Sequence, residues 1–350
     1  MKDSTVQLAI IGCGAVTELC HLPAARLLSE VEVVALVDTN LPRARSLAEQ
    51  FDITHFQGDF DELPEGVDGV VVALPNNLHA AVTTELLNRG VPVLVEKPMA
   101  LTAQEADAMV HSAENHQVPL QVGLMYRFSH GAALVKRAVE EGWLGPLKSF
   151  SMDWGQTYGW PLSSGFAFSK DRAGGGQLID MGSHVLDLLL WWLGPASVVD
   201  YSDDSLGGVE ADCTLTLVVE TPSGPIPGTV ALSRLRNLGT GARVVGSQLT
   251  IEYDLASPAT VRLWPTMWQP QGAAFIHDEG SARAQTWDDI YAAQLRAFAE
   301  SISTGAEPFV PGKDVVDRVA LVEKCYAERK PVHQPWMGSA GSAWPPKSIP

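Results

Sequence analysis

The 350-residue sequence is short of cysteine, of positive charge and of long apolar runs, and each shortage removes a class of protein. Its four cysteines, Cys13, Cys20, Cys213 and Cys325, are scattered with no CxxC pair. Neither a zinc ribbon nor a disulfide framework is therefore expected, and a reducing cytoplasm suits them. Lys plus Arg number 24 against 41 Asp plus Glu, a formal charge of −17. That balance argues against general affinity for nucleic acid or anionic lipid. No apolar run reaches the roughly 18 residues that a membrane span needs, and the opening "MKDSTVQLAIIGCGAV" lacks the longer apolar core and cleavage site of a secretory leader. No His, Cys and Asp cluster shows metal-ligand spacing, so no metal is expected, and no GxSxG nucleophile elbow occurs. What is present is an ordinary globular composition, 46% hydrophobic and 19% charged, long enough for two domains.

The first third alternates short β-branched runs with helical patterns. The runs are "VQLAIIG" (6–12), "VEVVALVD" (31–38), "VDGVVVALP" (67–75), "VPVLVEKP" (91–98) and "PLQVGLMYRF" (119–128). Runs apolar on both faces and separated by helices predict a doubly wound α/β fold on a parallel sheet. After a helix over 131–146 the rhythm changes to alternating strands, "LKSFSMDW", "VEADCTLTLVVE", "GTVALSRLR", "SQLTIEYD" and "ATVRLW". These suit a large, mostly antiparallel open sheet with one wet face. Helices near 287–304 and 313–329 close the fold. The expected division is a dinucleotide-binding domain over 1–128, an α/β domain over 129–330 and a Pro/Gly/Ser-rich tail over 331–350.

"IIGCGAVTELCHLPAARLL" leaves a strand and opens a helix, the context that makes a glycine pattern a dinucleotide signal. Gly12 would permit the tight turn. Gly14 would let the backbone amides of Ala15 and Val16 approach a pyrophosphate at the helix N-terminus, where aligned peptide dipoles favour anions. The third position of the pattern holds Thr17 in place of Gly or Ala. Asp38 ends the second strand, where a carboxylate accepts hydrogen bonds from ribose hydroxyls and repels a 2′-phosphate. NAD is thus favoured over NADP, with Arg43 and Arg45 near enough in sequence to weaken the preference. The alternative for Asp38 is a turn or N-cap residue.

Five further segments follow in order: "ALPNNLHAAVTTELLNRGVPVLVEKPMAL" (73–101), "GLMYRF", "GWLGPLKSF", "GGGQLIDMGSHVLD" (174–187) and, near the end, "FAESISTGAEPFVPGKDVVDRVALVEKCYAERK". Together they closely resemble the glucose-fructose oxidoreductase, inositol dehydrogenase and rhizopine catabolism superfamily over nearly the whole chain. The resemblance implies a Rossmann domain followed by an α/β domain whose open sheet joins copies into a homodimer or homotetramer, and an NAD(P)-dependent oxidoreductase acting on sugars, cyclitols or related polyols. By matching position it implies that Lys97 of "EKP" sits beside the nicotinamide and contacts the reacting oxygen, faced by Asp180 and His184. It also implies that Leu74, Pro75, Asn76 and His79 form the nicotinamide-side loop, with Glu96 their strand-end neighbour.

Residue chemistry supports that division of work. Oxidising a secondary alcohol sends a hydride to the nicotinamide while a proton leaves oxygen, which calls for a base and for a group that stabilises negative charge. An ammonium at Lys97 would polarise the oxygen, and His184, with an ordinary pKa of about 6.5, would take the proton. Asp180, His184 and Asp187 share one helix face, and Gly174–Gly176 would let that helix start against the cofactor. Asp180 could then orient the imidazole or bind a substrate hydroxyl; a plain i, i+4 hydrogen-bonded pair is the alternative. Asp187 and His21 read as structural. Arg127, Trp154, Tyr158 and Trp160 would line a polyol pocket, since aromatic faces pack on sugar C–H surfaces and Arg bonds hydroxyls. Two other functions share these motifs: a redox-neutral glycosidase-type enzyme that retains NAD, and a non-enzymatic nucleotide-binding regulator.

Overall fold

Short β-branched runs pair in parallel to build the first sheet. Its strands are β1 (Val6–Ile11), β2 (Val31–Val37), β3 (His55–Gln57), β4 (Gly69–Val72), β5 (Val93–Glu96) and β6 (Leu120–Gly123), in the order β3-β2-β1-β4-β5-β6. This is the strand order of dinucleotide-binding domains, in which the chain reverses direction of travel between β1 and β4 and leaves a crevice at their carboxyl ends. The computed structural model describes residues 5–61, 63–157, 159–161, 164–257, 259–267, 274–276 and 285–332. A turn of π-helix (Thr17–His21) runs into α1 (Leu22–Ala25), followed by α2 (Leu41–Phe51), α3 (Asn76–Asn88) and α4 (Ala103–His116). Local signals set these helices. The Asn40 side chain accepts the Arg43 amide to start α2, and Thr102 with Glu105 forms a reciprocal capping box on α4.

The strand expected through 119–128 stops at Gly123, and Met125–Phe128 coils into a 3-10 turn. An unbroken apolar run fits either conformation. Here the chain must leave the sheet so that Ser129 can cap α5 (His130–Glu140) by accepting the Ala132 amide at 3.1 Å.

The second sheet comprises β7 (Leu147–Gly155), β8 (Ala196–Asp203), β9 (Asp212–Thr221), β10 (Gly224–Ser233), β11 (Gly241–Gly246), β12 (Leu249–Asp254), β13 (Val261–Pro265), β14 (Ala274–Ile276) and β15 (Lys330–Pro331). Their order is β14-β13-β12-β11-β7-β10-β9-β8-β15. Pairing is antiparallel except between β7 and β10 and between β8 and β15. The short α6 (Lys170–Ala173) precedes α7 (Gln177–Leu193), which is buried along most of its length against β9 and β10. The last helices, α8 (Trp287–Thr304) and α9 (Val316–Ala327), turn back toward the first sheet. Leu295, Phe298 and Ala299 of α8 pack in one core with Leu8, Ile10 and Leu36. The first sheet therefore takes a covering helix from far along the chain. Of the proposed tail, only 331 and 332 fall within the described residues.

Candidate active site

The crevice between β1 and β4 is built by contact of backbone with backbone. Gly12 has φ +104°, and a Cβ there would lie 2.2 Å from the Ala73 carbonyl oxygen, so only glycine lets the two strand ends approach this closely. Ala15 and Val16 open the helix that follows, and first-turn N–H groups have no intrahelical acceptor. A tight glycine turn with unclaimed amides at a helix start fits a dinucleotide pyrophosphate. Thr17 proves compatible: its buried hydroxyl donates to the Gly12 carbonyl at 2.6 Å and ties the turn to the helix. Asp38 lies at the end of β2, with Oδ2 accepting the Cys13 amide at 2.8 Å and Oδ1 the Asn40 amide at 2.7 Å. It braces the glycine turn, and a carboxylate has lone pairs left for a ribose.

On the other side of the crevice, Leu74, Pro75 and Asn76 lead from β4 into α3. The Asn76 amide donates to the Ala173 carbonyl at 2.9 Å, joining this loop to the second half of the chain. His79 is buried, with ring nitrogens 2.7 Å from the Pro98 carbonyl and 2.8 Å from that of Leu74. Burial pushes its pKa down, and a neutral ring donates to one of these oxygens at a time. His79 thus packs the two loops together from beneath. Glu96 is also buried: Oε1 meets the His21 ring at 2.9 Å and Oε2 accepts the Lys97 amide at 3.2 Å.

Lys97 comes off the end of β5 and reaches α7. Its Nζ donates to Asp180 Oδ1 at 2.6 Å and to the Asp180 carbonyl at 3.2 Å. The other carboxylate oxygen, Oδ2, accepts from Arg234 Nη2 at 2.8 Å, and Arg234 Nε donates to Gln177 at 2.7 Å. Burial would raise the Asp180 pKa, but the Lys97 and Arg234 charges outweigh it and hold the carboxyl well below the usual range. Asp180 is therefore a fixed anion. His184, one turn further on, is almost fully buried, and its ring meets the edge of Tyr126 at 5.0 Å. Burial first, then the Lys97 charge, push its pKa well below the ordinary value, while Asp180 opposes them. The imidazole is neutral at physiological pH.

Several expected placements are corrected. Asp180 does not hydrogen-bond the imidazole; its two oxygens face Lys97 and Arg234 instead. The glycines before α7 pack against protein: a Cβ on Gly176 would lie 1.9 Å from the Glu210 carbonyl oxygen. Arg127 is buried and gives Nε and Nη2 to Asp187 at 2.9 and 2.5 Å, which leaves these donors engaged away from a substrate. Trp154 is buried, with its ring 6.4 Å from that of Tyr126. Trp160 is exposed in the loop after β7, and Tyr158 lies outside the described residues.

Sequence reasoning missed Arg234 and Glu210. Arg234 continues the inward phase of Val230 and Leu232 on β10, so an arginine on the apolar phase of a strand was the available signal. Glu210 sits in a glycine-containing loop and carries no such signal. Its carboxylate accepts the Gly176 and Leu178 amides at 2.9 and 2.8 Å and the Tyr326 hydroxyl at 2.8 Å, capping α7.

A parallel sheet of this order, with a glycine turn at its point of reversal, defines the class of dinucleotide-binding α/β proteins. Residues 6–124 match the family described as "Oxidoreductase family, NAD-binding Rossmann fold", and 132–252 match the GFO/IDH/MocA C-terminal domain. The chain belongs to the GFO/IDH/MocA oxidoreductase family. It is 28% identical to the rhizopine catabolism protein MocA of Rhizobium meliloti, over 91% of this chain and 93% of the relative. It is 31% identical to D-glucoside 3-dehydrogenase of Escherichia coli, there spanning about half of each protein, 55% and 56%. The crystal structure of aldose-aldose oxidoreductase from Caulobacter crescentus, complexed with glycerol, superposes with TM-score 0.81 at 25% identity, over 93% of this chain and 97% of that one. Its relatives include sugar dehydrogenases, and among the described residues no helix is long and apolar enough to cross a membrane.

Proposed function

We propose that the protein is an NAD-dependent dehydrogenase that moves a hydride between nicotinamide and a secondary alcohol or ketone of a sugar, cyclitol or related polyol. The observation that carries this reading is the 2.6 Å Lys97–Asp180 contact, which unites the end of the first sheet with the start of α7, one helical turn from a neutral His184. When bound, the nicotinamide supplies a hydride acceptor. The chain supplies the rest. Two of the three N–H donors on the Lys97 ammonium go to Asp180, and the third is available to the reacting oxygen, where it stabilises alkoxide character. Asp180, itself anchored by Arg234, aims that ammonium. His184 accepts the proton, in this reading at Nε2, because Nδ1 is buried without a partner. Lys97, Asp180 and His184 are the residues given direct roles in the chemistry. Gly12, Gly14, Ala15, Val16 and Asp38 would hold the adenosine and pyrophosphate portions, and Leu74, Pro75, Asn76 and His79 the nicotinamide side.

The names of the relatives support the substrate class, since D-glucoside 3-dehydrogenase and D-apiose dehydrogenase are sugar dehydrogenases. Assembly into a dimer or tetramer through the uncovered face of the second sheet belongs to the same proposal and is read by sedimentation. The deciding experiment is a panel of polyols and hexoses with NAD and then NADP, following absorbance of the reduced nicotinamide. Substrate-dependent formation of reduced cofactor is expected. Cofactor that copurifies and turns over with no net reduction would shift the assignment to a redox-neutral enzyme.

A further inference from the structure

Asp38 is joined at the adenosine end by a second carboxylate that no motif marks. Arg43 stands in the first turn of α2, close in sequence to the end of β2, where it could meet a 2′-phosphate. Its guanidinium is already engaged. Nε donates to the Cys13 carbonyl at 3.1 Å and Nη2 to Glu18 Oε2 at 2.5 Å, so two of its three nitrogens are held by the glycine turn and the helix behind it. Both side chains are about two-thirds buried, each 31% exposed, which makes this pair less screened than one on open surface. Arg45, the other nearby cation, pairs with Glu49 on the exposed face of α2. Asp38, Glu18 and Arg43 together carry a net charge of −1, and the guanidinium that would offset a phosphate is directed at Glu18.

We infer that Glu18 is a specificity-determining residue: by holding Arg43 on the glycine turn it denies a 2′-phosphate its counter-charge, so that preference for NAD rests on Glu18 as well as Asp38. Guanidinium and phosphate make paired, directional hydrogen bonds, so freeing Arg43 converts the same residue from a brace into an anion receptor. The inference rests on the dinucleotide reading above and extends it to a residue outside the glycine pattern and the β2 carboxylate.

The test is isothermal titration of the whole chain with NAD and with NADP, for the wild type, Glu18→Gln, Glu18→Ala, Arg43→Gln and the Glu18→Gln/Arg43→Gln double variant. Thermal unfolding of each variant verifies folding. Either Glu18 substitution should lower the ratio of NADP to NAD dissociation constants by about tenfold or more, the size of one good charge-assisted contact. Arg43→Gln alone should not lower it, and the double variant should match Arg43→Gln. A ratio unchanged in both Glu18 variants, or a gain that survives in the double variant, overturns the assignment. If the wild type binds neither nucleotide at millimolar concentration, the dinucleotide reading fails in the first titration and this inference with it.

Discussion

At the scale of single residues, the site separates two ionisable groups by environment. Asp180 stays charged because two cations hold it, and His184 stays neutral because burial and a neighbouring ammonium do. Replacing Lys97 or His184 with Ala should each cut kcat by about a hundredfold or more, the usual worth of a positioned acid or base. Stopped-flow and steady-state rates on an identified substrate check this, and full activity in either variant would reject the roles. Protonation gives a second prediction. The base form of His184 is the neutral ring and its folded pKa lies below the ordinary value, so oxidation should persist as pH falls through about 6.5 and decline only at lower pH. Stability responds at higher pH than activity does. Below about 6.5 the unfolded chain binds protons at His79 and His184 that the folded chain does not, so stability falls with falling pH, by at most about 1.4 kcal/mol per pH unit for each ring. Urea midpoints from neutral pH downward measure it, and a flat profile down to the folded pKa would contradict the burial argument.

At the scale of elements, legibility tracked periodicity. The apolar runs of β1, β2, β4 and β5 and the inward phase of β7, β9 and β10 could be read directly, because a strand covered on both faces and a strand covered on one leave different patterns. Strands β8 and β11 were not seen: "ASVVDYSD" mixes polar and apolar residues across a register shift, and "GARVVG" is bounded by glycines. The start of α7 was legible as a glycine-to-helix junction, but the reason for the glycines was not, since Glu210 is 34 residues beyond Gly176 and only folding brings them together. That contact makes a sharp prediction. A Cβ at Gly176 must displace the Glu210 backbone and disturb the cap of α7, so Gly176→Ala should cost about 2–4 kcal/mol, in the range of severe backbone clashes with a lost helix cap. Glu210→Gln keeps the volume and should cost less, about 1–2 kcal/mol, by weakening charge-assisted acceptance of two amides. Urea unfolding of both variants ranks them, and an unperturbed Gly176→Ala would show that the junction yields.

At the scale of the whole molecule, the question is what keeps the Lys97 end of the first sheet in register with α7. Lys97–Asp180 is partly exposed and modest in strength, so it cannot be the main tie. The buried candidate is Arg127, just past β6, which grips Asp187 on α7 with two nitrogens, while Arg318 from α9 approaches the same carboxylate at 3.3 Å. Asp187 is 1% exposed and Arg127 2%, so an unpaired survivor would stay in a low-dielectric interior. Removing both partners should therefore cost less than the two single removals added together. Arg127→Met should destabilise by about 3–5 kcal/mol, tempered by Arg318, and Asp187→Leu by a similar amount because it leaves Arg127 buried without its anion. The double variant should cost clearly less than the sum, with a coupling of about 1–3 kcal/mol. Denaturant unfolding of the four-member cycle measures the coupling. Strict additivity would mean that the two halves are aligned by apolar packing alone and that the ion pair only occupies space between them.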